Sequence, residues 1–420
     1  MIKRYLCLGL LSFTTVSTLY AEDGFDDEFD DEFSDSESIK IVKTQEENKA
    51  YEFNGSVKFF TSYNYNHDAP ISDTTNDFRG FSSAKFSTDL KYNYEINDNY
   101  KIKSITKLYY DSIYDIKSSS YPTVPEDYDK DININELYLQ GKLSTNKDIT
   151  IGRQIVVWGK SDNIRITDTI NPLDNTTPGL TDIKDLRLGR AISKLDYFKG
   201  KWEYSFMLLH ENRYSKMPTY GSDFAPNNPI LASMISVDEP ANSIKNSGVA
   251  LSVSGNLTGQ DIAFYYSNQY IDNTIYRSNM LGIAYNKVFD SILLKTEIAY
   301  FDNYDSNTVE AKMDALGGVE YTGIKDGSVS LEIANKDDII QYALRFNQSY
   351  LNDTLDFTTL VMAYGKECED GGFTRVWLDY DIDDNLALSV GIIDYITGDS
   401  QKFQMIKDND RVFTSLEYSF

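Results

Sequence analysis

Arg411-Val412-Phe413-Thr414-Ser415-Leu416-Glu417-Tyr418-Ser419-Phe420 closes the chain. Strand side chains alternate between two faces, so Val412, Thr414, Leu416, Tyr418 and Phe420 share one face. Phe413 alone interrupts the alternation with a mostly polar second face. The same period of two recurs far upstream. Ala84, Phe86, Thr88, Leu90, Tyr92 and Tyr94 alternate with the polar Ser83, Lys85, Ser87, Asp89, Lys91 and Asn93. A turn at Asn97-Asp98-Asn99 follows, built of residues that tolerate left-handed backbone, and another strand runs on from Lys101. Marking every such segment from residue 51 onward gives about 18 strands, with a range of about 16–20.

The connections carry a second pattern. Those after even-numbered strands are short, as at Thr145-Asn146-Lys147, Lys199-Gly200 and Asp383-Asp384. Several after odd-numbered strands are long, at 67–80, 116–131, 159–188 and 213–245. A soluble sandwich has no reason to sort loop lengths by parity, whereas a membrane barrel has short periplasmic turns and longer outer loops. No run of about 18 apolar residues is present to form a spanning helix. The expected fold is all-β, a transmembrane antiparallel β-barrel. Its last strand resembles the closing strand of bacterial outer-membrane barrels. That resemblance implies that Phe420 is the signal read by the barrel-assembly machinery.

The other end of the chain fits this location. Residues 1–21 read as a secretory signal, with Lys3 and Arg4 ahead of the apolar stretch Leu6 to Val16 and a cleavage site at Leu19-Tyr20-Ala21. Arg4-Tyr5-Leu6 before Cys7 makes a poor lipobox, which speaks against a lipoprotein. The mature chain is expected to begin near Glu22 and to sit among the lipids of a Gram-negative outer membrane. Residues 22–50 form an acidic periplasmic segment and linker, ahead of a barrel over 51–420. From Glu22 to Ser38 there are ten acidic residues and no basic one, with Phe25, Phe29 and Phe33 spaced every four. This is either a solvated tail or a short helix docking three Phe on a partner. The full chain carries a net charge of −25, and loss of Lys3 and Arg4 with the leader takes it to about −27. Nucleic acid, which wants a basic face, is excluded as a partner. The charge does not decide between a cation-preferring pore and a merely acidic surface.

The densest unusual stretch begins at Ile151. It contains Gly152-Arg153-Gln154, Trp158-Gly159, Asp162, Asp168, Asn171-Pro172-Leu173-Asp174, Arg187 and Arg190. This pattern resembles a poorly characterised, porin-like family of bacterial outer-membrane barrels, marked by Gly-Arg-Gln, Trp-Gly and Asn-Pro-x-Asp. The resemblance is confined to this stretch; the rest agrees in being strand-rich and ending in Phe. It implies export of lipids or other hydrophobic compounds, with periplasmic or inner-membrane RND-type components as partners.

The residues also speak for themselves. The connection 159–188 is long for a compact domain. Pro172 and Pro178 among Asn171, Asp174 and Asn175 make it a structured loop, of the kind that folds into a barrel lumen. Asp162, Asp168, Asp174, Asp182 and Asp185 supply acidic groups; Arg153, Arg165, Arg187 and Arg190 supply basic ones. They either line a constriction and set its selectivity or pair to hold the loop on the wall. Trp158 is expected to anchor the loop. The connection 213–245 is unusually apolar, with Met217, Pro218, Tyr220 and Phe224; it reads as a lid or as a loop packed on its neighbours.

Signals for catalysis are weak. His67 and His210 are isolated, with no metal-ligand spacing. No nucleophile elbow, phosphate loop or Cys-x-x-Cys is present. No enzyme, cofactor or metal is expected. The expected function is transport of small solutes or hydrophobic molecules through a loop-constricted lumen. The alternative is a non-conducting barrel that docks into an export complex through Phe25, Phe29 and Phe33.

Overall fold

The computed structural model describes residues 50–70, 76–121, 128–225, 238–305 and 310–420. Its strands are β1 (Tyr51–Asn64), β2 (Gly80–Asn97), β3 (Tyr100–Asp111), β4 (Lys130–Ser144), β5 (Lys147–Gln154) and β6 (Arg190–Lys199). There follow β7 (Trp202–Leu209), β8 (Gly248–Leu257), β9 (Gln260–Tyr270), β10 (Arg277–Phe289), β11 (Ile292–Asp305) and β12 (Glu310–Ile324). The last are β13 (Gly327–Lys336), β14 (Ile339–Tyr350), β15 (Leu355–Tyr364), β16 (Gly371–Asp381), β17 (Leu386–Ile396) and β18 (Arg411–Ser419). Each pairs antiparallel with its neighbours in sequence, and β1 also pairs with β18, so the 18-stranded sheet closes on itself. Closure leaves no open sheet edge.

Every strand expected from the alternation is present. One difference lies at β5, expected over 148–158, which stops at Gln154 instead of reaching Trp158. There the chain leaves the wall: the Val156 amide bonds the Asn171 side chain, not a neighbouring strand. The sorting of loop lengths also holds. On the short-turn rim Asp290, Asp326 and Asn352 take φ of 52°, 54° and 56°, the left-handed backbone that Asp and Asn accept most readily.

Alternation places two chemistries on the two faces. Outward-pointing Val57, Leu137, Ile151, Leu251, Ile298 and Leu416 are exposed around the barrel exterior. Near the short-turn rim the outward positions turn aromatic, with Phe53, Tyr94, Tyr204, Phe289, Tyr350 and Tyr418. An apolar band ending in an aromatic girdle is a surface built for lipid. No helix among the described residues is long and apolar enough to cross a membrane; the strands do the crossing.

The chain's last residue sits on the closing seam. Phe420 and Gly55 exchange two backbone hydrogen bonds of 2.9 Å, and the Phe420 ring lies 6.1 Å from that of Phe53. The leader and the acidic segment with Phe25, Phe29 and Phe33 lie outside the described residues.

Candidate functional site

Inward positions on β8 to β14 include a series of alanines. Ala250, Ala263, Ala284, Ala299, Ala334 and Ala343 face the lumen, yet each is no more than 1 % exposed. The connection 155–189 covers them. It turns into the barrel and packs Val156, Trp158, Ile164, Ile166 and Ile170 into one apolar cluster with the wall. Trp158 is buried and stacks on Tyr265 of β9 at 4.7 Å.

Two wall carboxylates pin this loop. Glu297 of β11 accepts the amides of Lys160, Ser161 and Thr167 and the Thr167 hydroxyl, at 2.5–3.0 Å. Glu332 of β13 accepts the amides of Asp162, Asn163 and Ile164 at 2.7–3.1 Å. Both are essentially inaccessible to water. A carboxylate accepting several N–H groups is a strong anchor, and it satisfies amides that burial would otherwise orphan. Gly159 makes the approach possible. Its φ is +83°, and a Cβ there would lie 2.8 Å from the Glu297 carboxylate.

Residues of the loop itself hold its shape. Asn171 closes the neck: its Oδ1 accepts the Val156 amide at 2.7 Å, and its Nδ2 donates to the Leu188 carbonyl at 2.8 Å. Asp168 is buried between Arg187, at 2.8 Å, and Arg165, at 3.1 Å. Burial pushes the Arg165 guanidinium below its usual range, against the pull of Asp168. Arg190 donates to the Gln269 side chain at 2.5 Å and to the Ile170 carbonyl.

Farther along, the loop continues past β13 to the adjoining strands. Asp182 pairs with Arg345 of β14 at 2.9 Å and with Arg375 of β16. Burial works to raise the Asp182 carboxyl, but Arg375 and Arg345 outweigh it and hold the group below its ordinary range. Tyr395 of β17 donates to the Pro178 carbonyl at 2.6 Å. The described part of the apolar connection, up to residue 225, packs on top rather than swinging free. Lys216 exchanges backbone bonds with Leu173 and Asn175, and Phe224 is buried beneath the Arg411 guanidinium, 4.6 Å from its ring centre.

Two cavities flank the loop. One of about 290 Å³ lies against β9–β13 and includes Arg165, Arg190, Met280, Phe301, Lys312 and Lys336. The other, about 150 Å³, is apolar and aromatic, with Leu360, Met362, Phe373, Tyr395 and Phe403.

The expected pore residues thus divide. Trp158, Arg165, Asp168, Arg187 and Arg190 meet in the loop's buried body. Asp162 reaches the wall and pairs with Lys295 of β11. Asp174 spends its carboxylate on the Thr176 amide and hydroxyl, at 3.2 and 2.6 Å. Asp185 is exposed on a short helix, Ile183–Leu186. Arg153 stands apart at the rim, held by Glu211 at 2.5 and 3.2 Å. Sequence reasoning missed Glu297, Glu332, Arg345 and Arg375. The inward alanines on successive strands were the available signal, since only a covered wall needs such small residues. His210 shares a 2.8 Å hydrogen bond with Ser193, but among the described residues no carboxylate bonds its other ring nitrogen, as an acyl-transfer triad needs.

Comparison with solved structures supports the architecture. The chain is similar to OccAB3 of Acinetobacter baumannii, with 10% identity over 88% of this chain and 99% of that one, at a TM-score of 0.55. It is also similar to the outer membrane protein OpdK of Pseudomonas aeruginosa, with 8% identity over 88% and 98% of the two chains and a TM-score of 0.54. At such identities the likeness is one of fold. No curated protein matches in sequence. Residues 7–362 match the model of DUF1302, described as a protein of unknown function, and the chain belongs to that family.

Proposed function

We propose that this protein is an outer-membrane channel for small solutes, whose lumen is narrowed by the 155–189 loop. One observation carries the reading: a long loop is folded into the barrel and fastened to the wall by Glu297 and Glu332 through backbone amides. A loop held through its backbone keeps a fixed outline whatever its side chains contact, as a size-selecting constriction requires. The apolar exterior, and the charged inward positions left outside the loop-covered core, support a water-filled path through lipid. Passage is by diffusion; nothing in the loop's arrangement calls for a moving part.

The test is single-channel recording of the refolded mature chain in a planar bilayer. Steady openings of defined size are expected. A correctly folded barrel that never conducts would sink the reading and return weight to a docking role.

A further inference from the structure

The lumen wall is not uniform, and its inner face over β1–β3 differs from the rest. Lys58, Lys85, Lys91, Lys103 and Lys107 all point inward there, on three adjacent strands. Their register is fixed by the pairs Lys58↔Ser87, Lys85↔Asp111, Asp89↔Lys107 and Asn93↔Lys103. The outward positions between them are Phe59, Phe86 and Tyr92.

Water reaches this strip. The side chains of Lys58, Lys107 and Lys103 are 42, 40 and 34 % exposed although they point into the barrel. On the loop-covered wall Lys295, Arg375 and Arg411 are 6, 4 and 3 % exposed. The open part of the lumen therefore runs beside β1–β3.

The strip presents mainly positive charge. Lys58, Lys107 and Lys103 pair with Glu417, Asp89 and Glu136, and in each pair the ammonium is the more exposed partner. Of the other inward acids on these strands, Glu52 and Glu95 lie at the short-turn end, and Asp111 is buried and committed to the Ser83 hydroxyl and the Ala84 amide at 2.6 and 2.8 Å. The loop that shares the lumen with the strip carries its own acids, Asp174 and the exposed Asp185. A solute passing between loop and strip meets a row of ammonium groups along one whole side.

We infer that the permeation path runs along the β1–β3 lysine strip and prefers small hydrophilic anions, although the chain as a whole carries −25. Selectivity follows the field at the narrow path, not the sum over the surface. This rests on the channel reading above and names the solutes it favours.

The test uses the refolded mature chain in a bilayer under a KCl gradient. The reversal potential should report chloride preference. The triple variant Lys58→Gln, Lys103→Gln, Lys107→Gln should move the Cl⁻/K⁺ permeability ratio about threefold or more toward K⁺, since it removes the charges nearest the path. Placement is tested separately. With the parent chain as control, an anionic methanethiosulfonate reagent should reduce the current of Ser87→Cys, which sits between strip lysines. It should leave Ala334→Cys, under the loop, unchanged. Potassium preference, or an unaltered ratio in the triple variant, would overturn the inference while the channel stands. Block through Ala334→Cys but not Ser87→Cys would move the path to the other wall and also overturn it. Silence from a folded barrel would remove the channel and this inference together.

Discussion

The interior of this barrel contains two materials. Against β8–β17 it is a dry core: alanines, Met280, Leu316 and Ile393 are covered by loop side chains, and Glu297, Glu332, Lys295 and Arg375 are spent on loop partners. Against β1–β3 it is a wet surface of lysine, serine and aspartate, charged in part and solvated. The strands are alike; only the residues at inward positions differ. A covered wall can bury its carboxylates because backbone amides replace water, whereas an uncovered wall keeps its charges exposed and cheaply hydrated. Where inward alanines recur the wall is covered; where inward lysines cluster on adjacent strands, as on β1–β3, it stays open, whereas a single inward Lys295 is buried against the loop.

The largest effect should come from abolishing the contrast. Glu297→Gln with Glu332→Gln keeps the shape but sets amide NH₂ groups against loop N–H donors. Hydrogen bonds to a charged acceptor are worth about 1.5–3 kcal/mol each, so losing several should free the loop. Conductance should rise about threefold or more and become noisy, while the barrel keeps its folded mobility on unheated gels. An unchanged conductance would mean that the packing of Trp158 and the ion pairs suffice, and that the carboxylates are not the fastening.

A smaller effect tests how closely the two surfaces are fitted. Gly159→Ala places a Cβ 2.8 Å from the Glu297 carboxylate and 2.9 Å from the Thr167 hydroxyl, on a backbone of φ +83°. The strain and clash together are on the order of 1–3 kcal/mol. Conductance should rise by about twofold, the loop shifting without leaving the wall. Gly200→Ala is the control: its φ of +63° carries similar strain, but nothing lies within 4 Å, so conductance should hold. Equal effects from both would show general barrel strain instead of a local fit.

The two materials also differ in how far the sequence reveals them. Strands were legible because each repeats its own period of two without reference to its partner, and the sorted loops gave the barrel. Inside the loop, Trp158, Asp168 and Asn171 stood out because they lie close together in sequence. Their partners did not. Glu297, Glu332, Arg345 and Arg375 are charged residues at inward positions, and so are Lys58 and Lys107. Whether such a residue faces water or a covering loop depends on a segment more than a hundred residues away in some cases, as with Glu297 and Lys160. Arg153 misled for the same reason: it adjoins the motif in sequence, but the wall's pleat and Glu211 keep it at the rim.

The smallest effect concerns the far attachment, and pH reads it. Asp182 meets Arg345 and Arg375, which hold its carboxyl below the ordinary value despite burial. A depressed folded pKa contributes stability that is fully present above the unfolded value, near 3.9, and is lost as pH falls through the folded value. The attachment should therefore be indifferent to pH from neutrality down to about 4 and loosen only below that. Lowering the pH from 4 toward 3 should raise open-channel noise modestly in the parent chain. In Asp182→Asn that noise should already be present at neutral pH and should not grow further through this window. At neutral pH Glu297 and Glu332 still fasten the loop's near end, so the mean conductance of Asp182→Asn should stay close to that of the parent chain. If noise instead set in between pH 7 and 5, a group of ordinary or raised pKa would be controlling the loop, and the Asp182 clamp would not be what holds it against the β14–β16 wall.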